Sequence, residues 1–128
     1  MPHFDIRHSR NFEELTDVQA LCDVIAGAML ATGMFPHAGI RVRAIACDAY
    51  VVADAHPENA FADMVLRLGV GRPEDARRAA GEAVWAAICA HLSPLFDRPH
   101  FALSFEMREL GPLSWKKNSI HPRLAAAG

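Results

Sequence analysis

The sequence is short of net charge, of cysteine and of long hydrophobic runs, and each shortage excludes something. Its 128 residues carry 13 Lys and Arg against 15 Asp and Glu, a formal net charge of −2. So balanced a chain has no general attraction for nucleic acid or for an anionic membrane, and any anion must be held by a local group of cations. No apolar run reaches the roughly 18 residues that suggest a membrane span. The first residues lack the apolar core of a signal peptide. Cys22, Cys47 and Cys89 are odd in number, far apart and without CxxC spacing. They read as free thiols in a reducing compartment, so the expected location is cytoplasmic. The seven histidines (His3, His8, His37, His56, His91, His100 and His121) show no HxxxH, HxH or His–Cys spacing, and no metal is expected. No serine sits in a Gly-x-Ser-x-Gly elbow, and the glycines of "GVGRP" lack dinucleotide-loop spacing.

What is present is a globular composition, 52% apolar and 22% charged. The length fits one domain spanning residues 1–128. Within it the chain is written twice, over about residues 2–53 and 61–110, with a C-terminal tail over 111–128. In the first unit, Phe4, Ile6 and His8 alternate with His3, Asp5 and Arg7, the period of a half-buried strand. Asn11 stands three residues before Glu14, like a capping box. Leu15, Val18, Cys22, Ile25 and Met29 then follow at helical spacing. Gly33 and Pro36 close that helix, and a second strand starts at Ile40 and extends toward Val52.

The second unit repeats the order. Ala62, Met64, Leu66 and Leu68 alternate with Asp63, Val65 and Arg67. Pro73 suits the first helical position, with acids beside it. Ala76, Ala80, Val84, Ile88 and Leu92 form one stripe, and Phe101 to Arg108 is a last alternating strand. Each crossover is long enough to make its two strands parallel. The expected fold is therefore α+β, with tandem β-α-β units forming a four-stranded mixed sheet and two helices on one face. The other face, expected to be moderately apolar and to carry Arg7, His8 and Arg41 or Arg43, needs a cover, for which self-association is the simple solution.

Pro2 opens the first strand. Proline suits a strand start because it has no N–H to pair. If Met1 is removed, Pro2 is also a secondary amine whose pKa burial and nearby cations would lower, making it a base near neutral pH. The matching position in the second unit, Ala62, lies mid-chain, so there is one such amine per chain.

The stretches "MPHF", "ATGMFPHAGIRVRA", "VGRPEDARRAAGE", "ALSFEMREL" and "WKKNSIHPRL", in this order, resemble the tautomerase superfamily. More closely, they resemble its 5-carboxymethyl-2-hydroxymuconate Δ-isomerase family over nearly the whole chain. Pro73 departs from the Ser or Thr usual after the turn Arg. The resemblance implies the tautomerase fold, a homotrimer, no cofactor, and isomerisation of a multi-carboxylate dienol to its 2-oxo-3-ene form in homoprotocatechuate breakdown. It implies Pro2 as general base and then acid, and Arg41 and Arg72 as catalytic cations for a substrate with three carboxylates. Arg43, Lys116, Lys117 and Trp115 are further substrate-binding candidates. Two other readings stay open: a related tautomerase acting on another anionic enol or keto acid, and an inactive trimeric scaffold.

Overall fold

The computed structural model describes residues 1–127. The first unit gives strand β1 (His3–Ser9), helix α1 (Val18–Ala31) and strand β2 (Arg41–Cys47). The second gives β3 (Ala60–Leu68), α2 (Glu74–Leu92) and β4 (Phe101–Glu109), and a short helix α3 (Ile120–Ala127) ends the tail. The sheet order is β2-β1-β3-β4. β1 and β2 are parallel, as are β3 and β4, while β1 and β3 meet antiparallel. The mixed four-stranded sheet expected from the two repeats is therefore the observed one.

Alternation sets the core. Phe4 and Ile6 of β1 and Ala62, Met64, Leu66 and Leu68 of β3 are buried beneath Leu21, Ile25 and Met29 of α1 and Val84, Ile88 and Leu92 of α2. Each such large side chain contributes about 1.5–3 kcal/mol by leaving water. His8 also lies on this covered face, 1% exposed, and not on the open one. Its Nδ1–H donates to the Ser9 carbonyl at 2.9 Å, and its ring packs on Phe12. A buried imidazole so satisfied costs little.

The open face departs from expectation. Register puts His3, Asp5 and Arg7 of β1 on it beside Arg41, Arg43 and Ile45 of β2. Asp63, Val65 and Arg67 of β3 follow, then Ser104, Glu106 and Arg108 of β4. It is a charged surface, because the alternate positions of every strand were given to ionic side chains.

Other local expectations also shift. Helix α1 starts at Val18, where the Asp17 carboxylate caps it by accepting from the Ala20 N–H at 3.1 Å. Residues Arg10–Glu14 form a 3-10 turn instead. Asn11 is used elsewhere, donating to the Asn59 carbonyl at 2.9 Å and so tying β1 to the loop between the repeats. β2 stops at Cys47, short of Val52. Pro73 is the cap residue of α2, one position before the helix. The helical segment Glu74–Asp97 contains an 18-residue stretch long and apolar enough to cross a membrane, which no stretch was expected to be. Here its buried stripe packs on the sheet, as a core helix does. Finally, His56, Glu58 and His100 converge in space, although no metal-ligand spacing exists along the chain.

Candidate active site

The antiparallel pairing of β1 with β3 decides what meets Pro2. His3 lies opposite Arg67, so the start of β1 stands beside the end of β3 and the turn into α2. The loop into β2 arrives at the same end, since His3 also lies opposite Arg41. The C-terminal tail closes the group. Together they form a cavity of about 380 Å³ lined by Met1, Pro2, Pro36, Gly39, Arg72 and Lys116, with Asn118 and His121.

Pro2 is buried, and its carbonyl accepts from the Arg41 N–H at 3.3 Å. Gly39 is packed so tightly that a Cβ there would stand 3.2 Å from Pro2 Cδ. Arg72 is held in place from two sides. Its guanidinium donates to the carbonyls of Gly69 at 3.3 Å and Met34 at 3.4 Å, and lies over the Phe35 ring, 5.5 Å from its centroid. These contacts fix the cation without neutralising it, as anion recognition requires. The terminal amine, here on Met1, has its pKa lowered by burial and then by the charges of Lys116, Arg72 and Arg41. All four causes disfavour its protonated form.

Of the sequence candidates, Pro2, Arg72 and Lys116 line this cavity. Arg41 stands at its side, its guanidinium donating to the Gly39 carbonyl at 2.9 Å. Arg43 is drawn away. It is ion-paired to Asp5 at 2.8 Å and donates to His3 Nδ1 at 2.8 Å. Trp115 is 87% exposed and, with the exposed Lys117, lies off the cavity lining. Phe35, which supports Arg72, belongs to the core, and Phe105 is partly buried against it.

Asn118 and His121 were not singled out from the sequence. Asn118 Nδ2 donates to the Ala38 carbonyl at 3.0 Å, while its Oδ1 accepts from the N–H groups of Ile120 and His121. One side chain thus pins the tail to the loop before β2 and starts α3. The legible signal was an Asn just ahead of "IHPRL", a helix-cap residue before a helical stretch.

The chain is similar to known proteins over almost its whole length. Residues 2–124 match the family described as 5-carboxymethyl-2-hydroxymuconate isomerase. The chain is 38% identical over 122 residues to the 5-carboxymethyl-2-hydroxymuconate Delta-isomerase of Escherichia coli, covering 94% of this chain and 97% of that protein. A crystal structure of a 5-carboxymethyl-2-hydroxymuconate isomerase from Deinococcus radiodurans R1 superposes with a TM-score of 0.88 at 33% identity, covering 96% of this chain and 93% of that one. A fused 4-OT protein, described as a symmetric trimer, shares the fold at a TM-score of 0.60 and 17% identity, covering 94% of this chain and 98% of that one.

Proposed function

The chain belongs to the 5-carboxymethyl-2-hydroxymuconate isomerase family, and from that premise we propose how its residues carry out the isomerisation. Pro2, freed by removal of Met1, is the acid–base group. As a neutral secondary amine it takes the proton from the 2-hydroxyl of the dienol. Electrons move through C2, C3 and C4, and the protonated amine delivers a proton to C5. The C2 carbonyl and the C3–C4 double bond form as the C2–C3 and C4–C5 double bonds are lost, and no net proton is gained or released.

One observation carries this reading. The chain terminus lies in a cavity with two cationic side chains, Arg72 and Lys116, and burial and those charges lower its amine pKa. A base that works near neutral pH needs that surrounding. The same cations suit a substrate with several carboxylates, and a fixed guanidinium such as Arg72 stabilises the oxyanion charge of the dienolate. Arg41, beside the cavity, adds positive potential. Arg43, held by Asp5 and His3, has the weaker claim to substrate.

The reading includes a homotrimer. Trp115 and Lys117 are exposed near the end of the chain, and in an assembly they are available to a neighbouring subunit's cavity. The charged open face of the sheet supports the same assembly through ion pairs between subunits.

The test is the ultraviolet absorbance of the dienol mixed with purified protein. Conversion by protein lacking Met1, and none by protein with Met1 retained or Pro2 acylated, is the expected result. Equal rates from free and blocked protein would remove Pro2 from the mechanism.

A further inference from the structure

At the other end of the sheet from Pro2, the loop between the repeats meets the start of β4. Three side chains converge there. His56 and Glu58 come from the loop and His100 precedes Phe101, and one potential ligand atom from each lies within 4.8 Å of the others. We propose that His56, Glu58 and His100 form a binding site for a divalent transition-metal ion of the zinc class, which staples the loop between the two repeats to β4.

The donor set is the first argument. Two imidazoles and one carboxylate suit zinc and its neighbours and not the oxygen-seeking calcium or magnesium. Spacing is the second. His100 Nε2 lies 3.4 Å from Glu58 Oε2. Two donors bound tetrahedrally at ordinary zinc distances stand about 3.3 Å apart.

Orientation is the third. Asn59 donates through Nδ2 to the Val52 carbonyl at 3.0 Å and to Asp54 Oδ1 at 2.7 Å, so its Oδ1 is fixed as an acceptor. That oxygen lies 3.1 Å from His100 Nδ1, which therefore carries the ring proton. The Nε2 lone pair is left pointing toward Glu58. An outer acceptor that fixes the tautomer of a ligating histidine, a role the Asn59 amide oxygen fills here, is a regular support of metal sites.

The loop is also built in advance. Ala53 and Ala55 hold positive φ of 51° and 65°, a conformation that non-glycine residues seldom adopt. The turn is closed by bonds from Ala55 N–H to the Val52 carbonyl and from Asn59 N–H to the His56 carbonyl. His56 stacks on His100, ring centroids 4.3 Å apart. Its Nδ1 accepts from the Glu58 N–H at 3.1 Å, a bond that ligation through this ring has to replace. Arg98 competes as well, donating to Glu58 Oε1 at 3.1 Å. Both features make the affinity moderate.

The competition from Arg98 gives the proposal a distinguishing test. Zinc and cobalt(II) chlorides are titrated calorimetrically into the full-length protein at neutral pH, with cobalt also followed by visible absorption. One equivalent is expected to bind in the micromolar range, with the intense bands of tetrahedral cobalt and a higher Tm. His100→Ala and Glu58→Gln each weaken binding at least tenfold and abolish the Tm gain. Arg98→Ala tightens binding several-fold, because it frees a carboxylate oxygen and removes a cation. Isomerase turnover and circular dichroism stay unchanged in all three and show that the variants fold. The proposal is overturned by no binding below millimolar metal, by binding that survives both ligand substitutions, or by weaker binding in Arg98→Ala.

Discussion

Gly39 and Pro2 are in such close approach that a single added carbon on Gly39 would lie 3.2 Å from Pro2 Cδ. The pyrrolidine ring is thereby positioned by a neighbour that has no side chain. Gly39→Ala should push the ring by a few tenths of an ångström while keeping the fold. Because catalysis depends on placement more steeply than folding does, turnover should fall about tenfold with a stability change below about 1 kcal/mol. Steady-state kinetics and chemical denaturation of the same sample check this. Turnover equal to wild type would show that the ring tolerates the displacement.

Arg72 should matter through its fixed geometry as well as its charge. Arg72→Ala is expected to cost about 2–4 kcal/mol in kcat/KM if the guanidinium stabilises developing oxyanion charge. Arg72→Lys should recover little, since an ammonium cannot bond both the Gly69 and Met34 carbonyls while lying over Phe35. A change confined to KM would instead assign Arg72 to uniform carboxylate binding. The same comparison for Arg41→Ala should give a smaller loss.

The pH profile carries a sign that Lys116 controls. With Met1 removed, activity should fall as pH drops through the pKa of the Pro2 amine, which should lie below the ordinary terminal value of about 8 if it meets the burial and cations that lower the Met1 amine. Lys116 is the largest charge contribution to the lowered terminal pKa, after burial. Lys116→Ala should therefore raise the amine pKa and move the acidic limb to higher pH. A limb that stays in place or moves lower would separate Lys116 from the base.

His3 should make folding stability depend on pH. Its pKa is lowered by burial and then by Arg43, Arg67 and Arg41, and its Nδ1 accepts from Arg43, a bond that requires the neutral ring. The unfolded chain, with an ordinary histidine pKa near 6.5, then binds the proton more readily than the folded one. This contribution is present above about pH 6.5 and is lost as pH falls through the lowered folded value. His3→Asn should flatten the acid side of the stability curve, measured by urea unfolding between about pH 7 and pH 5. An unchanged slope would place the acid sensitivity elsewhere.

Assembly is checked by sedimentation equilibrium. The expected mass is three times the 14.0 kDa of one chain. Because the open face is charged, the trimer should weaken in high salt as its ion pairs are screened. A monomer at micromolar concentration and low salt would remove the neighbouring subunit from the site.

The order of the elements was legible in local pattern. Alternation from Phe4 to His8 and from Ala62 to Leu68, and the stripe from Ala80 to Leu92, are local periodicities that survive in any tertiary setting. "MPHF" and "GRPEDA", through the family resemblance, named Pro2 and Arg72 as candidates, and both line one cavity. Contacts between distant segments set the remainder. Asn11 looked like a helix cap, but the loop between the repeats offered its amide a carbonyl 48 residues away. Arg43, on the same strand face as Arg41, was a substrate-binding candidate, but Asp5 and His3 of the neighbouring strand hold it. Asn118 and His121 entered the cavity because the tail folds back over the start of β1. The antiparallel join of β1 and β3, which brings Arg72 to Pro2, is a pairing between distant segments. No local pattern encodes such a pairing, because it is settled only when both strands bury the same face beneath α1 and α2.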